Sequence, residues 1–257
     1  LLRYINRWQT FELTKERDGV DGTIYLYICP EQGKFPLHAI FDRNNKQLTQ
    51  EAQNIIPQLN ERLKAHGFQG ELTPALSEIA QDPTYVDDPT QLIPMHSAFT
   101  FFDDRRFVQI DPRQDNPIVW KIPALMDLLT VHTDTDDSVS LHPLFFSRSV
   151  CDLLGLQPLP QDREARDQMV ASMQESMPSN ISWKQHWDTL LAPYYNVQLR
   201  DVPESLVRIL SQEHGATRFS VVSYAHIDGA SVYLYAILER VAGDQYDTFR
   251  VHRMYWI

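Results

Sequence analysis

The residues best placed to do chemistry are three aspartates in one short turn, Asp134, Asp136 and Asp137 within Thr133-Asp-Thr-Asp-Asp-Ser138. Calcium takes about six to eight oxygen ligands, and acidic turns commonly supply several of them. The EF-hand pattern fails here, because the turn lacks an acid at its fifth position, a glycine at its sixth and a glutamate at its twelfth. A solvated acidic turn is the plainer reading, and the pairs Asp87, Asp88 and Asp103, Asp104 read the same way. No cofactor is expected. Calcium is the one ion this turn could take, and no tight calcium site is predicted.

The other reactive side chains are scattered. His132 and His142 flank the acidic turn without the spacing usual for zinc ligands, and His186 and His214 stand alone. There is no G-x-S-x-G elbow, no P-loop and no G-x-G-x-x-G, and nine glycines leave little room for phosphate cradles. The two cysteines, Cys29 and Cys151, have neither metal spacing nor a protease signature, and read as buried thiols of the core. Nothing in the sequence supports an enzyme, so no catalytic residue is assigned.

Positioning is therefore more informative than chemistry. Gly22-Thr-Ile-Tyr-Leu-Tyr-Ile-Cys29 is β-branched and aromatic, and Gly33-Lys-Phe-Pro-Leu-His-Ala-Ile-Phe-Asp42 follows it as a second strand. At the far end lie Arg218–Ile227, Ala230–Arg240 and Thr248–Trp256. The first two are joined by Asp228-Gly229, a dipeptide suited to the positive φ angles of a tight hairpin. Between these ends the chain is rich in helix formers and prolines. Helices are predicted over 48–65, from Pro74, and over 122–131, 143–154, 162–176, 183–191 and 203–212, with a Pro- and Asp-rich loop over 82–117. The fold class is α+β: a small antiparallel sheet made by both chain ends, 1–42 and 216–257, with a mainly helical insertion over 43–215.

Charge narrows the partners. A net charge of -11 over 257 residues, with no stripe of Lys and Arg, argues against nucleic acid. No stretch approaches the ~20 apolar residues of a membrane helix. Leu1, Ile5 and Trp8 are spaced to share a helix face, which predicts the last turns of a helix begun upstream, or a short native helix. Phe99, Phe101 and Phe102 read as core in preference to a docking patch, and Tyr233 and Tyr235 as cover for the sheet.

Three stretches, in this order, resemble landmarks of the large minor pseudopilin (K component) family of type II secretion systems. Gly33–Asp42 resembles the family's GK-x-N-L-N-x-L segment, with Pro36 and His38 where asparagines are expected. Leu129-Thr-Val-His132, Val139-Ser-Leu-His142 and the helix from Ser147 to Gly155 resemble its LTV stretch without the asparagines. Phe219–Ile227 with Val232–Arg240 resembles its closing hairpin. The family's G-A-E-D-x-x-Y element is absent, so no calcium ligand carries over.

The resemblance implies a pilin-like sheet, a tip position on the pseudopilus, and association with other minor pseudopilins and with the secreted protein. It also implies a periplasmic domain anchored in the bacterial inner membrane by a helix upstream of Leu1. Leu1, Ile5 and Trp8 on that helix end, with Arg250 and Arg253 on the closing strand, are the expected partner-binding residues. A periplasmic or extracellular ligand-binding module is the alternative, and a hydrolase with a spatially assembled site the third.

Overall fold

The computed structural model describes residues 1–36, 41–42, 47–65, 109–110, 118–119, 125–130, 141–177, 182–210, 216–241 and 248–256. The acidic turn with Asp134, Asp136 and Asp137, the helix expected from Pro74 and most of the Pro-rich loop lie outside them. The chain divides into two compact units. One comprises Leu1–Glu31, Leu159–Glu175 and His214–Ile257; the other comprises Gln32–Pro158 and Ser176–Glu213. The division thus falls after Glu31 instead of after residue 42, and a segment expected in the insertion, 159–175, belongs with the sheet.

The first unit is built on five antiparallel strands: β1 Trp8–Leu13, β2 Gly22–Pro30, β3 Arg218–Ile227, β4 Ala230–Val241 and β5 Thr248–Trp256. Their spatial order is also β1 to β5, so β2 from the N-terminal part pairs directly with β3 from the C-terminal part. β3 and β4 form a two-residue hairpin, with Ile227 opposite Ala230. Asp228 and Gly229 take φ of 48° and 83°, the two positive angles a type I′ turn demands.

Two expectations for this unit need correction. Residues 1–8 are not a helix end. A turn is closed by Tyr4 N–H donating to Leu1 O, Asn6 adopts φ 54°, and its N–H donates to Ile28 O before β1 begins. An αL residue ends any helix, and here it steers the chain into the edge strand. The described residues of 33–42 do not pair with the sheet either: Phe35–Pro36 pairs with Leu129–Thr130 and Phe41–Asp42 with Gln47–Leu48, while β1 pairs with β2. The turn at 2–6 is held from within by Arg166, which is fully buried and donates to the carbonyls of Leu2, Ile5 and Pro160. Arg166 stands on a helix, Arg163–Ser176, that also buries Met169, Val170 and Met173.

The second unit is mainly helical among its described residues. Helix α1, Gln50–Ala65, starts at Thr49, whose hydroxyl accepts from Ala52 N–H, and it buries Ala52, Ile55 and Ile56. The run expected as one helix over 143–154 is broken in two. A 3₁₀ turn covers Pro143–Phe145, and α2 then runs from Arg148 to Leu154. Ser147 causes the break: its hydroxyl accepts from Val150 N–H as an N-cap and donates to Asp127 O. Gly155, at φ 69°, closes α2 as expected. The helix at Arg163–Ser176 (α3) and α4, Trp183–Leu190, match the predicted spans.

Two further helices are shorter than predicted. The one expected over 122–131 is a single turn, Leu125–Leu128, followed by a strand at Leu129–Thr130, and the one expected over 203–212 is Glu204–Arg208. The core of this unit gathers Trp183, Trp187, Tyr195, Phe146 and Val150, all nearly inaccessible. Trp187 Nε1 donates to Val197 O at 2.9 Å, and the Tyr195 hydroxyl donates to Pro143 O, so these two rings are buried with their polar ends satisfied.

Candidate functional site

The strand registers sort the sheet's side chains onto two faces. Trp8, Tyr25, Tyr27, Cys29, Ser220, Val222, Tyr224, Tyr233, Tyr235 and Ile237 share one of them. Its inner rows are closed: Tyr27, Cys29, Val222, Tyr224, Tyr235 and Ile237 are all buried. The opposite face carries Phe11, Ile24, Leu26, Ile28, Phe219, Val221, Val232, Leu234, Ala236 and Leu238. Phe219, Val221 and Ala236 at its centre are buried by their neighbours, Ile24, Leu26, Ile28, Leu234 and Leu238 are half-buried, and Phe11 and Val232 are exposed.

A bulge extends that second face onto β5. Glu239 pairs with Arg250 and Leu238 with Val251, but Ile237 pairs with Arg253, so His252 is the extra residue. The phase of the strand shifts there. Phe249, Val251 and Met254 consequently fall on the apolar face, beside Phe219, Leu238 and Ala236. They are 53%, 59% and 52% exposed, and β5 is an edge strand. Exposed apolar side chains grouped on an edge strand are a candidate contact surface.

The expected partner-binding residues separate. Leu1 is exposed, Ile5 is fully buried, and Trp8 is half-buried with its ring 5.4 Å from that of Tyr27. Ile5 is therefore a core residue of this unit, and the three do not form one helix face. Arg250 is exposed but engaged: its Nε donates to Glu239 at 2.6 Å, and Arg218 approaches the same carboxylate at 3.6 Å. Arg253 lies opposite Ile237 in β5. The sequence pointed to these cations and overlooked the apolar residues on the other face of the same strand, because strict alternation does not place Val251 and Met254 together.

The Glu239 carboxyl is held below its ordinary value of 4.5, first by the hydrogen bond from Arg250, against the opposing effect of burial, and then by the charges of Arg250, Arg218 and His252. A carboxyl depressed in the folded state contributes stability above its unfolded value, and loses it as pH falls through the folded value. Glu239→Gln is expected to lower Tm at pH 7, with the difference from the parent shrinking below about pH 4.5 and vanishing in stronger acid. Thermal melts across that range check it; a difference that persists unchanged at pH 2 contradicts it.

The described residues show no metal-type cluster. Among them no group of three His, Cys, Asp or Glu converges as a metal site would require. His142 is buried against Phe145, ring centroids 4.1 Å apart, with Trp183 edge-on. His186 bonds back to Ser182 within its own helix turn. Cys29 and Cys151 are buried free thiols. No helix among the described residues is long and apolar enough to cross a membrane.

The second unit brings two of the sequence landmarks together. Phe35–Pro36 pairs in parallel with Leu129–Thr130, and Ser147 N–H donates to Gly33 O. Gly33 has no room for a side chain, because a Cβ would lie 1.7 Å from Phe145 O. The third landmark is the β3–β4 hairpin of the sheet.

No known protein family matches the chain, and no curated protein does. Among solved structures, a chain of the crystal structure of the GspK-GspI-GspJ complex from the enterotoxigenic Escherichia coli Type 2 Secretion System is similar. The identity is 15% and the TM-score 0.41, over 96% of this chain and 82% of that one.

Proposed function

We propose that the chain is a non-enzymatic structural subunit of a type II secretion pseudopilus, the large minor pseudopilin at its tip. The observation that carries this reading is the five-stranded sheet assembled from both parts of the chain around an intervening compact unit, with one apolar face left open at β5. Such a sheet supplies a surface for subunits below, while the intervening unit supplies bulk that blocks further addition. The paired landmarks at Gly33–Pro36 and Leu129–Thr130 add support, because they are neighbours in space as well as ordered in sequence.

In this role the domain works in the periplasm, anchored in the inner membrane through an apolar helix that the described residues do not contain. It associates with other minor pseudopilins, initiates assembly of the pseudopilus and supports export of the secreted protein. Deleting the gene in its host and measuring exported proteins in the medium tests the role. The expected result is accumulation of exoproteins in the periplasm, restored by the intact gene; normal export in the deletion strain overturns it.

A further inference from the structure

The covered face of the sheet is open at one end, and a tyrosine row lies there. Tyr25, Tyr224 and Tyr233 stand side by side across β2, β3 and β4. The Tyr25 and Tyr224 rings are 5.7 Å apart and 21° from parallel; those of Tyr224 and Tyr233 are 4.7 Å apart and 37° from parallel. The middle ring is buried and the outer two are half-buried, so Tyr25 and Tyr233 are the rings of the row that offer surface to solvent, each braced against Tyr224. The next row outward is polar: Glu12, Thr23, His226 and Ser231. Thr23 donates to the Glu12 carboxylate at 3.0 Å, while Ser231 bonds to both His226 and Tyr224.

Charge decides what such a platform suits. Glu12 is exposed and diagonal to Tyr25 on the same face, about 7 Å away by sheet geometry. The Tyr25 phenol is pushed up first by burial, then by the charge of Glu12 and then by Tyr224. Asp21 and Asp228 stand at the same end, where Asp228 N–H donates to Asp21 O. Of the nearby cations on the β1–β2 connection, Arg17 is held by Asp18 at 2.8 Å, and Lys15 is exposed. A guanidinium is planar, stacks on aromatic rings and pairs with a carboxylate in one pose.

We propose that the exposed rings of Tyr25 and Tyr233, braced by the buried Tyr224, form with Glu12 a recognition site for an arginine side chain of a protein partner. The site lies on the opposite face from the apolar surface, and it does not depend on the pseudopilus reading. The test uses the whole 257-residue chain with 13C-labelled tyrosine rings, titrated at pH 7.5 with the blocked peptide acetyl-Gly-Arg-Gly-Arg-amide. The ring signals of Tyr25 and Tyr233 are expected to shift and saturate, with affinity falling about tenfold in a Tyr25→Leu, Tyr233→Leu variant. Glu12→Gln is expected to weaken binding about threefold and to remove most of its salt dependence. The peptide with citrulline in place of arginine is expected to give no shift. Equal shifts with the citrulline peptide, no shift with the arginine peptide, or saturation by chitotriose alone would overturn the proposal. Thermal melts confirm that each variant is folded, and Val232→Ala, exposed on the opposite face of the sheet, serves as a second variant expected to keep peptide affinity.

Discussion

Val251→Asp combined with Met254→Asp is expected to abolish association with partner pseudopilins, by at least about tenfold in affinity, while the domain stays folded. Both side chains are more than half exposed on the edge strand, so their contribution to the isolated fold is small. Phe249 is left intact in this variant because its ring packs on Phe219, 5.6 Å away, and removing it would confuse binding with stability. Two carboxylates at the centre of an apolar contact would have to be desolvated on binding without a partner, a cost of several kcal/mol. The measurement is affinity by titration calorimetry beside a thermal melt. Unchanged affinity would show that the apolar face is not the contact surface.

Gly33→Ala is expected to have the largest effect on stability. Its Cβ would meet Phe145 O at 1.7 Å, Phe145 C at 2.4 Å and Phe146 N at 3.0 Å, all backbone atoms that cannot swing aside. Accommodating it means separating Phe35–Pro36 from Leu129–Thr130 and losing the bond from Ser147 to Gly33 O. The expected loss is about 3 kcal/mol or more. Gly229→Ala is the comparison: nothing lies within 4 Å of its Cβ, and only the positive φ of 83° opposes it, at about 1–2 kcal/mol. Urea unfolding followed by tryptophan fluorescence resolves the two. Equal losses would show that Gly33 is not pressed against Phe145.

The sheet was legible where local signals agreed. Asp228-Gly229 supplies the angles of the turn, and the runs on either side are both strand-forming, so β3 and β4 follow from sequence alone. The face of β5 was not legible, because a bulge opposite Ile237 and Leu238 shifts its phase and no residue type announces it. The N-terminal segment misled for a different reason. Leu1, Ile5 and Trp8 have helical spacing, yet a backbone bond from Asn6 to Ile28 and its αL geometry decide the outcome, and both depend on β2 being present. Residues 33–42 read as sheet because of their apolar content; Phe35 and Pro36 instead pair with Leu129 and Thr130, a contact almost a hundred residues away in sequence. The apolar docking surface was therefore half visible, in the composition of its strands, and hidden in their register.

The central claim is that this chain joins a minor-pseudopilin complex through the open side of its sheet. The most direct measurement is size-exclusion chromatography with light scattering on the chain, alone and mixed with the soluble domains of minor pseudopilins from the same bacterium. The account predicts a single co-eluting complex whose mass is the sum of its subunits, formed by the parent chain and not by the Val251→Asp, Met254→Asp variant. Separate elution of the parent chain at its own mass, across micromolar concentrations of every partner, would contradict it.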